Sequence, residues 1–138
     1  MILIHQFSLI SGDGRICIAS AIKYNCHSIG CEIESKLCTR FQSLLTKYNL
    51  HNQVKVINDD LLNLDLADAN IIICYLLPEA IELLKGKFYH CLQEGVILIC
   101  NTWGPKGFKP SNSIICGEYN NITLYKYDIS SIVNIIID

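Results

Sequence analysis

Residues 70–77 read NIIICYLL, an apolar run that meets Pro78 at once. Strands with one wet face alternate apolar and polar side chains, whereas an unbroken run marks a strand covered on both faces. Parallel strands of that kind are joined by helical crossovers, so the run predicts an α/β protein with helices on both sides of its sheet. Pro78 suits the first turn of a helix, where its missing N–H is no loss. It opens the amphipathic stretch PEAIELLKGKFYHCLQ.

The same alternation runs along the chain. Residues 1–10 are apolar and Arg15–Tyr24 follows as a helix; HSIGCEI (27–33) precedes SKLCTRFQSLLTKYNL. In that second stretch Leu37, Phe41, Leu44, Leu45 and Tyr48 fall on one helical stripe. QVKVIN (53–58) and VILICN (96–101, after Gly95) add strands. Beyond a Gly/Pro-rich loop at 102–112, SIICGEY and ITLYKYD flank Asn120-Asn121 and predict a terminal hairpin. At 138 residues, with no linker or repeat, the chain is expected to be one domain over 1–138. Its expected architecture is an open, doubly wound α/β sheet with helices on both faces.

Ligands of such sheets bind outside the carboxyl ends of the strands, beside the first one. There the chain reads FSLISGDGR. Gly12 and Gly14 can take positive φ and bring backbone N–H groups close to a ligand, although a plain strand-to-helix turn uses the same residues. Glu32 ends the second strand candidate, where a carboxylate grips a ribose diol by charge-assisted hydrogen bonds. Glu34, just before the helix, reads as a solvated helix-start acid. Asn58-Asp59-Asp60 ends the third strand candidate; a carboxylate or amide there accepts from an exocyclic amine of adenine, or else an acid caps a polar turn. Three such features in order at three successive strand ends outweigh any one alone. A nicotinamide-dinucleotide fingerprint would want a third small glycine where Cys17 stands, which demotes that reading, and no Gly-Lys-Ser/Thr exists for a P-loop.

Composition narrows the partners. Net charge is −2, and no run of Lys or Arg offers itself to a phosphate backbone or an anionic membrane. Nucleic acid is therefore not expected. Eight cysteines are scattered without a C-x-x-C pair and read as small buried hydrophobes in a reducing compartment. The four histidines supply no paired ligands, so no metal site is expected. MILIHQFSLI is too short to span a bilayer and lacks a basic leader. The expectation is a soluble intracellular protein, cytoplasmic or mitochondrial, with no membrane span.

The stretch SGDGRICIASAIKYNCHSIGCEIESKL resembles the first motifs of class I S-adenosylmethionine-dependent methyltransferases. It is most similar to small proteins with a D-L-G-S-G-D-G-R start, among them lysine methyltransferases of the ATP synthase c-subunit type and bacterial relatives. The resemblance continues through NDDLLNLDLADANIIICYLLPEA and EGVILICNTWGPKGFKP, from about residue 8 to 127, and Y-L-L-P-E-A is its most specific part. It implies a Rossmann-like, seven-stranded sheet of order 3-2-1-4-5-7-6 with the last strand antiparallel. It implies S-adenosyl-L-methionine as cofactor and methyl transfer to a nitrogen, with a protein lysine as acceptor. By the same resemblance Ser11, Gly12, Asp13 and Gly14 meet the methionine part of the cofactor, and Glu32 holds the ribose. Asp60, or else Asp59, meets the adenine amine. Tyr75 and Pro78 stand where the methyl group reaches its acceptor, Tyr75 also touching the cofactor, and Leu76, Leu77 and Trp103 wall the substrate. Core packing is the plain alternative for Tyr75 and Trp103.

Two positions depart from the family's pattern. Ser8 stands where the family has an acid that stabilises the cofactor's ammonium end, and Ile10 where it has a glycine at closest approach. A β-branched side chain there is strained at positive φ and fills ligand volume. The expected consequence is an impaired cofactor loop. The alternatives are an inactive or cofactor-poor methyltransferase-like binding module and a nicotinamide-dinucleotide binder. Because the motif resumes abruptly at Ser11, a truncated or misassigned start is also expected, the first ten residues being read-through intron sequence; comparing transcript with genomic sequence tests this.

Overall fold

The computed structural model describes residues 5–9, as backbone, and 14–133. It comprises two compact units, one ending at Asn70 and the other beginning at Ile71.

The first unit holds β1 (His5–Leu9), α1 (Arg15–Tyr24), β2 (His27–Glu32), α2 (Ser35–Lys47), β3 (Val54–Asn58) and a short 3-10 turn at Leu61–Asn63. β2 lies between β3 and β1 and is parallel to both, with His5 opposite His27 and Glu32 opposite Asn58. Each helix is the crossover that a parallel pair requires. α1 ends at Asn25, in the left-handed region at φ 51°, whose N–H donates to Ala21 O at 3.0 Å. The helical stripe of α2 faces the core with Phe41 and Leu45, both 0% exposed, while Tyr48 caps the helix and lies exposed. Cys17, Ile18 and Ala21 of α1 meet Phe41 and Leu45 of α2 and Leu50 and Val54 beneath them in one apolar cluster. Buried aromatics of this kind carry about 3–5 kcal/mol each on truncation.

The second unit holds β4 (Ile71–Cys74), α3 (Pro78–Gln93), β5 (Ile97–Asn101), β6 (Asn112–Cys116), β7 (Ile122–Tyr127) and a 3-10 turn at Ile129–Ser131. β4 and β5 are parallel; β7 lies between β5 and β6 and is antiparallel to both. The expected strand over 70–77 stops at Cys74. Leu77 precedes a proline and is held extended (φ −67°, ψ 154°) as the cap of α3, because a residue before proline is pushed out of the helical region. The hairpin forms as expected, but residues 117–121 connect its strands, a wider turn than Asn120-Asn121 alone. Ile72, Cys74, Leu76, Ile81, Leu84, Phe88, Leu92, Leu98 and Cys100 are buried in this unit. All eight cysteines are free thiols, and seven are buried, which fits their reading as small apolar residues. Among the described residues no helix is long and apolar enough to cross a membrane.

Candidate active site

Ile10, Ser11, Gly12 and Asp13 lie outside the described residues, so the glycine loop is seen only at its last member. Gly14 caps α1 with φ 84° and ψ 16°, and its carbonyl accepts from Ile18 N at 2.9 Å. A Cβ on Gly14 would run into the ring of Phe41. Glycine is therefore required here twice, by its backbone angle and by the core helix packed against it. Cys17, at the position of the third fingerprint glycine, is 0% exposed within the same cluster.

Glu32 ends β2 and is 5% exposed. Its Oε2 accepts from the N–H of Glu34, the cap of α2, at 3.0 Å. A buried carboxylate needs such donors, and the positive end of a helix favours it further. Glu34 itself is exposed, in keeping with a solvated helix-start acid. The Cys38 thiol donates to Glu32 O (3.4 Å) and the Cys31 thiol to Asp59 O (3.5 Å). Burial, then the nearby carboxylates of Asp59 and Glu32, push the Cys31 thiol up to about 11, and burial and Glu32 also raise that of Cys38. Both thiols stay neutral donors at physiological pH.

Asn58 stands beside Glu32 across the β2–β3 pair. With its amide oriented to suit its neighbours, Nδ2 donates to Glu32 O (3.2 Å) and Ile33 O (3.1 Å), and Oδ1 accepts from Ser35 Oγ (3.1 Å). Asp59 Oδ1 accepts from Asp60 N (2.7 Å) and Asn63 Nδ2 (3.2 Å); Asp60 Oδ1 caps the 3-10 turn through Leu62 N (3.0 Å). Both aspartates are exposed. Neighbouring strand ends thus present three carboxylates. Such acceptor groups match a ligand rich in donors, as a ribose diol and an adenine amine are. Cys31 and Cys38 are the members of this site that sequence reasoning missed. Their partners are backbone carbonyls brought in by the fold, and nothing in a cysteine's neighbours in sequence signals them.

In the second unit the four residues Tyr75 to Pro78 divide. Leu76 is 2% exposed and faces the interior, while Tyr75, Leu77 and Pro78 are at the surface. Of the two leucines expected to wall the substrate, Leu77 is exposed and Leu76 is buried. Tyr75 and Trp103 lie with ring planes 9° apart and centroids separated by 6.4 Å. Along the first turns of α3 runs a cavity of about 620 Å³, lined by Pro78, Glu79, Glu82, Lys85, Trp103 and Lys106 among others. Among the described residues no group of three or more His, Cys, Asp or Glu is placed to hold a metal ion.

The family model described as the ANTKMT methyltransferase domain matches residues 9–112. The chain belongs to the ANTKMT methyltransferase domain family. As a member it is an S-adenosylmethionine-dependent methyltransferase of class I, with S-adenosyl-L-methionine as cofactor. It is similar to a protein-lysine N-methyltransferase of Saccharolobus islandicus (strain REY15A), 26% identical over 123 residues, which are 88% of this chain and 76% of that protein. An RNA methyltransferase from Salinibacter ruber, solved in complex with S-adenosyl-L-homocysteine, matches with a TM-score of 0.83 at 22% identity, over 90% of this chain and 79% of the other. A human methyltransferase 10 domain containing protein matches with a TM-score of 0.72 at 12% identity, over 93% and 72%. These likenesses establish an α/β methyltransferase fold.

Proposed function

We propose that this chain transfers a methyl group from S-adenosylmethionine to a lysine side chain of a protein. The observation that carries the cofactor half of this reading is Glu32, a carboxylate buried at the end of β2 beside Asp59 and Asp60 and fixed there by the Glu34 N–H. In this reading Ser11, Gly12, Asp13 and Gly14 take the methionine end, Glu32 accepts from the ribose hydroxyls, and Asp60, with Asp59 as the alternative, accepts from the adenine amine. When bound, S-adenosylmethionine supplies a methyl group already activated on a sulfonium. The protein's part is then to align and to exclude water. Tyr75 and Pro78 shape the point where the acceptor nitrogen arrives, and Leu77 and Trp103 wall its approach. Apolar surroundings disfavour an ammonium, so these walls favour the neutral amine that attack requires.

Lysine is supported by the name of the Saccharolobus relative, and protein over nucleic acid by the lack of any Lys/Arg run. We further propose a single domain built on one sheet of order 3-2-1-4-5-7-6, a reading supported by the strand orders within the two units, β3-β2-β1 and β4-β5-β7-β6. Ser8, in β1, and Ile10 make the loop a weak one. Calorimetric titration with S-adenosylhomocysteine and with NAD, followed by mass spectrometry of a lysine-bearing protein and of RNA after incubation with cofactor, tests the proposal. Heat with S-adenosylhomocysteine and a methylated lysine are expected. Methylated RNA with unmodified protein refutes the acceptor; no heat with either ligand makes the chain a cofactor-poor binding module.

A further inference from the structure

Four described residues other than glycine have positive φ: Asn25, Asn49, Asn120 and Thr102. Asparagine tolerates this region, whereas a β-branched residue in it is an outlier. Thr102 has φ 70°. The N–H of Trp103 donates to Asn101 O at 2.8 Å across it, which closes a γ-turn of the rare, strained hand. The Thr102 N–H donates to Thr123 O of β7 at 2.8 Å, and Thr102 Oγ1 donates to Asn101 Oδ1 at 2.8 Å. One residue further on, Gly104 leaves no room for a side chain, since a Cβ there would run into the Tyr127 hydroxyl.

The segment is therefore tied to β7 before Trp103, by the bond to Thr123, and packed closely against Tyr127 of β7 after it. Between these two contacts the indole of Trp103 lies parallel to Tyr75. Backbone strain persists only where its surroundings over-determine it, and it concentrates at functional sites. We infer that Thr102 is a positioning residue, whose γ-turn holds Trp103 against Tyr75 so that the two rings form a fixed wall for the acceptor side chain. This rests on the reading of Tyr75 and Trp103 as walls of the acceptor site. Ring faces pack the alkyl stem of a lysine, and a wall set in advance spares the ordering that binding would otherwise require.

Trp103 is the only tryptophan, so its emission reports on this turn directly. Thr102→Gly can leave φ 70° freely, and Thr102→Pro can neither adopt it nor donate to Thr123 O. Iodide quenching of Trp103 is expected to rise about twofold in the glycine variant and more in the proline variant. The KM for a lysine-bearing peptide should rise about threefold and about tenfold respectively, with the Kd for S-adenosylhomocysteine within about twofold of the parent. A folded proline variant with parental emission and quenching overturns the inference, as does a KM rise matched by equal loss of S-adenosylhomocysteine binding. If the proline variant does not fold, the glycine variant decides: parental quenching overturns the inference, and raised quenching with raised KM supports it. A parent chain that methylates no lysine would instead mark failure of the acceptor reading, and the fluorescence arm would still judge the turn.

Discussion

Gly14 is read from the sequence as a cofactor residue, and the structure gives it a packing role that can be measured without any ligand. In Gly14→Ala the new methyl group meets the ring of Phe41, and alanine must also sit at φ 84°. Forcing a methyl into a packed core costs about 1–3 kcal/mol, and a left-handed alanine adds roughly 1 kcal/mol. Together they amount to about 2–4 kcal/mol, which for a chain of this size is a fall in Tm on the order of 10 °C. Phe41→Leu removes the obstructing ring and by itself leaves a hole worth about 1–3 kcal/mol. Because the clash needs both groups, the double variant should be more stable than the sum of the single losses predicts, by about 1 kcal/mol or more. Urea unfolding of the four proteins, without cofactor, reads the cycle. Gly14→Ala as stable as the parent, or a strictly additive cycle, would refute the packing argument and return Gly14 to the ligand alone.

Glu32→Ala should lower affinity for S-adenosylhomocysteine by about 1.5–3 kcal/mol, or 10- to 150-fold, the range for a hydrogen bond to a charged group; calorimetry checks it, and unaltered affinity would remove Glu32 from the ribose. The Cys31 thiol, at about 11 folded against 9.0 unfolded, is raised, so its contribution to stability is complete below pH 9 and is lost as pH climbs through 11. The parent should therefore lose more stability between pH 9 and 11 than Cys31→Ala does, by on the order of 2 kcal/mol in urea titrations; equal slopes would count against it. Ser8→Asp combined with Ile10→Gly should tighten S-adenosylmethionine by about tenfold, and unchanged or weaker binding would show that the loop has been aligned wrongly.

The elements were legible because their periods are: the unbroken run of β4, the stripe of α2 and the proline of α3 each constrain one conformation. Their ends were less so. The run continues to Leu77 by composition, yet the backbone leaves the strand after Cys74, because the residue before Pro78 must stay extended while the chain turns into α3. Composition likewise could not separate Leu76 from Leu77, since both are leucines in an apolar run and only the change of direction buries one. The acids at the strand ends were found from spacing, while the thiols that hold their backbones were not. Thr102-Trp103-Gly104-Pro105 reads as a loop, and its strain is set by Thr123 and Tyr127, more than 20 residues away in sequence.

The thiols at the acidic end of the first unit and the carboxylates beside them act on one another. Cys31 and Cys38 donate to backbone carbonyls, Asp59 O and Glu32 O. Their bonds tie β2 to the residues after β3 and to α2 without neutralising an acid. The carboxylates in turn raise the thiols, which keeps each sulfur protonated and therefore a donor. A thiolate at either place would be an acceptor facing an acceptor, and the tie would fail. The carboxylates and the thiols thus hold each other's protonation states, and the ties between β2, α2 and the residues after β3 depend on both.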